Sequence, residues 1–246
     1  MAREVNVDWE AEQKTKREKA KLEAERNAHW KAASHNVYKL WCGSVLSGIY
    51  IGIAGTVYLM VKDPYLGALL FSCGLLSICT YFCALYTGAV GYLTTAADKF
   101  DYLVGIIFIW IGNLVGTFGV GLLVSYTKLK PLINGRVTTM VAAKCSDGTL
   151  SLLILGLFCG ILMYTAVEGF RRSYHPIIKI LLIIFCVMVF ILSGFEHCIA
   201  DMYYVAVAGR IDAEVWRMLF LVTIGNSLGG MLANELASVL KLQLAE

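Results

Sequence analysis

Residues 64–97 contain no charged side chain, and no other feature of the chain limits its fold as much. A helix crosses the hydrocarbon of a bilayer with about 20 apolar residues, so a run of this length implies a span that is strongly tilted or interrupted. Five further stretches read as spans: 40–61, 102–127, 148–167, 180 to about 209, and a short one at 218–234. Of the whole chain, 58% is hydrophobic and only three residues are proline. Such a composition excludes an ordinary water-soluble domain. The expected class is an all-α integral membrane protein with six transmembrane helices.

Charge divides the chain into two parts. Residues 1–39 hold nine Lys/Arg and seven Asp/Glu, and their Ala, Glu, Lys and Arg content predicts a solvated or membrane-surface helical arm. His29 and His35 read as exposed side chains of that arm, and nothing in it resembles a cleavable signal peptide. Residues 40–246 then form the channel-like membrane body. An even number of spans puts both termini on one side. With the termini cytoplasmic, 14 basic residues lie inside and seven outside, in keeping with the positive-inside rule. Lys128, Lys130, Arg136 and Lys144 run against that trend on the outer side, faced only by Asp147. They read either as ordinary loop solvation or as a basic vestibule that concentrates anions.

An internal repeat sorts the possible architectures. GNLVG at 112–116 matches GNSLGG at 225–230. The small residues allow close helix approach, and Asn113 and Asn226 must find partners on neighbouring backbone. A polar interruption precedes each copy, at Thr87 in LYTG and at His197 in FEHC. Three spans per half make the halves inverted in the membrane, which brings two broken helices, the second and fifth, together near the midplane.

Glu196, His197 and Asp201 fall inside the fifth span. Each charge on a lipid-facing helix costs about 2.5 to 3.5 kcal/mol, so three such groups mark a pathway or its support. Glu196 could instead accept freed backbone N–H groups at the break, and Asp201 could cap the restarting helix. His197 is the group whose protonation changes near neutral pH. Ser193 lies four residues before it, the helical spacing of a dyad, but the break disfavours an intramembrane hydrolase. Haem would need a second facing histidine, and His175 lies in a loop. The eight cysteines include no CxxC, and Cys79 and Cys83 read as packing residues. No cofactor, metal or nucleic-acid partner is implied, and no enzyme.

GFEHCIADM at 194–202, the paired GNxxG motifs and LYTG together resemble the formate/nitrite transporter family over residues 40 to the C-terminus. The resemblance implies an aquaporin-like protomer in a homopentamer of the prokaryotic plasma membrane, with one pore per subunit. It implies a pathway of His197, Thr87, Lys144 and Glu196. Apolar constrictions would fall on Phe71, Leu75 and Phe190 on the outer side, and on Leu85, Tyr86 and Met163 toward the cytoplasm. Two departures stand out: Gly160 where formate members commonly carry asparagine, expected to remove a pore donor, and Asp201 where asparagine is usual. The implied cargo is a small monovalent weak-acid anion that crosses with a proton, formate first and nitrite next. Hydrosulfide is the alternative, and a neutral solute is disfavoured because Asn-Pro-Ala repeats are absent.

Overall fold

A computed structural model describes Arg17 and residues 37–173 and 175–243, with side chains described to Leu240. The expected arm and its His29 and His35 lie outside the described residues. Among the described residues from Val37 onward there are nine α-helices and one 3-10 turn: α1 (Val37–Met60), α2 (Pro64–Thr80), α3 (Tyr86–Ala89) with the 3-10 turn Val90–Leu93, α4 (Lys99–Ser125), α5 (Lys130–Ser146), α6 (Thr149–Arg172), α7 (Pro176–Leu192), α8 (Cys198–Ala208) and α9 (Ala213–Gln243). There is no strand among the described residues. α1, α4, α6 and α9 are each long and apolar enough to cross a membrane. Where the sequence predicts the second and fifth spans, the chain forms two shorter pieces each, α2 with α3 and α7 with α8.

Two expectations need correction. The sixth span is α9, far longer than 218–234. An uncharged run stops at Arg217, whereas the helix continues because Arg217 Nη2 donates to the carbonyls of Cys145 (2.6 Å) and Asp147 (3.0 Å). The basic stretch beyond α4 is also no loop, because Lys130, Arg136 and Lys144 all sit on α5.

The two halves repeat at the level of single hydrogen bonds. α2 begins with Asp63 as N-cap and Pro64 in its first turn, and α7 with His175 and Pro176. Their ends match as well. Tyr81 N–H donates to Ser77 O (2.9 Å) and Cys83 N–H to Ile78 O (2.9 Å), while Ser193 N–H donates to Val189 O (3.0 Å) and Phe195 N–H to Phe190 O (2.9 Å). Such a six-to-one closure needs a left-handed residue. Phe82 (φ 53°) fills that place in the first half and Gly194 (φ 70°) in the second. Pro64 and Pro176, Phe82 and Gly194, and Leu85 and His197 are each 112 positions apart. The register therefore equates His197 with Leu85 rather than with Thr87, the polar interruption of the first half. The break itself occupies residues 81–85, and Thr87 belongs to the restarted helix.

This geometry gives a prediction. Nothing lies within 4 Å of a Cβ built on Gly194, so Gly194→Ala should cost only the left-handed backbone penalty, about 1–2 kcal/mol. Phe82→Gly should gain up to about 1 kcal/mol. Thermal unfolding of the two purified variants checks the opposite signs.

Glycines seat each long pair of helices. A Cβ on Gly116 in α4 would come within 2.9 Å of Gly48 Cα in α1, and a Cβ on Gly225 in α9 within 2.9 Å of Gly156 Cα in α6. The GNxxG motif is thus the close-packed seam of each half.

Candidate functional site

The asparagines of the repeat build the centre. Asn113 Nδ2 donates to Ser44 O (2.8 Å) on α1 and to Ala84 O (2.9 Å) at the first break, and its Oδ1 accepts the Tyr86 N–H (2.9 Å). Asn226 does the same in the second half: Nδ2 to Gly156 O (2.8 Å) and Glu196 O (2.8 Å), Oδ1 from Cys198 N–H (2.9 Å). Both are fully buried. Each amide therefore satisfies backbone groups that the helix break would otherwise leave bare in an apolar medium.

The two restarting helices meet at Thr87 and His197, whose Oγ1 and Nε2 are 2.9 Å apart. His197 is the N-cap of α8, and its Nδ1 accepts the Ala200 N–H at 3.1 Å. A ring nitrogen that accepts an amide proton carries none of its own, so the imidazole is neutral with its hydrogen on Nε2, toward Thr87. The capping role expected for Asp201 belongs to His197. With both ring nitrogens engaged, Ser193, which is exposed at the end of α7, forms no dyad with it.

On one side of this pair aromatic side chains gather. Phe71 and Phe190 meet edge to face with centroids 6.0 Å apart, and Phe190 stacks on the His197 ring at 5.6 Å. Leu75 is buried with them in the same core. Leu85 and Met163 are also buried, and Leu85 occupies the N-cap position of α3, as His197 does in α8, but without a side-chain cap bond. Tyr86 is set apart from its expected companions. Its hydroxyl lies 2.8 Å from Ser227 Oγ, and its ring lines a groove of about 430 Å³ shared with Trp110, Trp216 and Phe220 of α4 and α9.

The basic residues of α5 are not a free vestibule. Lys130 Nζ donates to Val207 O at the end of α8. Arg136 donates to Tyr58 O (2.8 Å) and Val61 O (2.5 Å) at the end of α1 and lies 4.5 Å over the Tyr58 ring. Cations at helix C-termini satisfy the last carbonyls and complement the dipole, which accounts for positive charge placed against the topological trend. Lys144 pairs with the Glu196 carboxylate and lies 3.0 Å from Asp201 Oδ1. Glu196 is 6% exposed and Asp201 1%. Lys144→Met should leave this buried carboxyl pair without its cation and cost about 3–5 kcal/mol, read as a large fall in the thermal midpoint of the purified protein.

Gly160 has a structural role that overrides the expected loss of a pore donor. A Cβ there would fall within 2.9 Å of Asn226 Cα. An asparagine at 160 would push α6 off α9.

A polar network braces the opposite face. Tyr92 OH donates to Glu168 Oε2 (2.6 Å), Glu168 also pairs with Arg172, and Tyr164 OH donates to Asn234 Oδ1 (2.9 Å). None of these five is among the site residues that the sequence singles out. The signal available was the tyrosine and glutamate placed inside otherwise apolar runs.

The sequence profile of the Formate/nitrite transporter family matches residues 19–240. The chain belongs to this family. Within the formate/nitrite transporter family, the Nitrite transporter NirC of Escherichia coli K12 is 27% identical over 220 residues, covering 80% of this chain and 81% of NirC. An FNT family ion channel of known structure superposes with a TM-score of 0.81 at 24% identity, over 90% of this chain and 97% of that one. A pentameric formate channel with formate bound gives 0.73 at 25% identity, over 84% and 98%. Membership makes the protein an integral membrane transporter or channel for small anions, and its relatives are not enzymes.

Proposed function

We propose that this member of the family is a pentameric channel for small monovalent weak-acid anions, formate first and nitrite next, in which the anion crosses the centre with a transient proton. It would lie in the inner membrane of a prokaryote with both termini cytoplasmic, so that α5 faces outward. The observation that carries the reading is the Thr87–His197 contact at the junction of the two half-helices, backed by the Phe71–Phe190 pair. A bare anion is costly in such an apolar passage. Desolvation favours the neutral acid, and the positive end of the α8 dipole steadies the anion until it takes the proton.

His197 assists as a neutral group. Two roles are open to such a ring, hydrogen-bond donor or cation. Protonating Nδ1 would set two donors against each other at Ala200 and open the cap of α8, so the donor role is the one the geometry favours. With Nε2–H given to Thr87, the threonine hydroxyl is free to present its own hydrogen to an anion. The proton then comes from water at the entrance, and apolar rings interrupt any continuous water chain that would leak protons.

Hydrosulfide is the alternative cargo, and a pore donor lost at Gly160 is what would favour it. That position packs on the Asn226 backbone, so it offers no support for a different cargo. The test is uptake of formate, nitrite and hydrosulfide into liposomes of the full chain, side by side across a pH series. Formate and nitrite flux rising as pH falls is expected. Rapid transfer of a neutral polyol with no anion flux would overturn the reading.

A further inference from the structure

Glu196 and Asp201 share a single cation. Lys144 Nζ reaches Glu196 and Asp201 Oδ1, and Asp201 Oδ2 is buried with no hydrogen-bond partner. The other titratable groups whose charge would act on Asp201 are Cys159 on α6, and Cys198 and Tyr204 on α8. Each is fully or almost fully buried. With both carboxyl groups ionised, the cluster would hold an uncompensated negative charge out of water, which is strongly unfavourable. Two carboxylates in one site resolve this by keeping one proton. The oxygen without a partner, Asp201 Oδ2, is where the proton fits.

We infer that Asp201 is a proton-holding carboxyl that switches the α5-side entrance, neutral when it carries the proton and repelling anions when it does not. Its place supports that role. Asp201 N–H donates to His197 O (2.9 Å), so Asp201 stands one helical turn beyond the central imidazole, and its carboxyl meets Lys144 of α5. Glu196 and Asp201 correspond by the repeat register to Ala84 and Ala89 in the first half. The switch therefore belongs to one end of the pathway only. This inference rests on the channel reading for its effect on flux, though not for the existence of the proton.

Asp201→Asn keeps the shape and removes the titration. Two measurements on the full-length protein in liposomes test the inference. In infrared difference spectra, the wild type should show a protonated-carboxyl carbonyl band that bleaches as pH rises, and the variant should lack it. In formate uptake, the wild type should fall off on the alkaline side while Asp201→Asn stays several-fold higher there, because the variant presents no negative charge to an entering anion. A wild-type spectrum without such a band at any pH, or a band that survives in Asp201→Asn, overturns the proton site. Superimposable pH profiles overturn the entrance role. If neither protein carries formate, the infrared result still decides whether the proton is there.

Discussion

His197→Phe should fold, assemble and lose the pH-dependent component of formate flux, with uptake at acidic pH down by at least about tenfold. One hydrogen bond to a charged group contributes about 1.5–3 kcal/mol, and about 1.4 kcal/mol corresponds to a factor of ten in rate. Phenylalanine removes both the Nε2–H toward Thr87 and the Nδ1 acceptor that caps α8. Loss of the cap costs about 1 kcal/mol of stability, too little to unfold the body. His197→Asn separates the two effects, because asparagine is itself a good N-cap and cannot present a ring N–H at the same place. It should unfold near the wild-type temperature and still lose the pH-dependent flux. Size-exclusion chromatography and uptake on the same preparations decide it, and unchanged pH-dependent uptake in a folded His197→Phe protein would remove the histidine from the account.

Asn226→Ala should destabilise the body sharply. It strips partners from Cys198 N–H, Gly156 O and Glu196 O at once. Three buried hydrogen bonds at about 1 kcal/mol each give a loss of about 3 kcal/mol. Asn113→Ala removes the corresponding set at Tyr86, Ser44 and Ala84 and should lower the thermal midpoint by a similar amount. The two should differ in function. Asn226 fixes the backbone on both sides of His197, so its loss should depress flux in whatever protein remains folded more than the loss of Asn113 does.

Much of this arrangement was legible in the residues themselves, for identifiable reasons. Uncharged runs report spans because lipid penalises charge wherever it falls, and the 64–97 run reported a broken helix because no straight one fits. The buried asparagines were readable because an amide in lipid needs a partner. What could not be read is who pairs with whom across the fold. Lys144 and Glu196 are far apart in the chain, so charge counting makes a free vestibule of a lysine that two carboxylates neutralise. Arg136 and Lys130 serve helix ends contributed by α1 and α8, partners that no local pattern announces. The repeat register slipped by two residues because the match was anchored on polar residues, whereas the chain repeats its backbone: Leu85 and His197 share a cap position with no chemistry in common. Gly160 was misread for a related reason. A missing side chain looks like a lost donor until the neighbouring backbone is seen to occupy its place.

The central claim is that a weak-acid anion passes the Thr87–His197 pair as a neutral acid. It is tested most directly by formate uptake into liposomes of the full chain under an imposed membrane potential at fixed pH, compared with an imposed pH gradient at zero potential. The account predicts uptake that follows the pH gradient and ignores the potential. Uptake that follows the potential and ignores the pH gradient would contradict it.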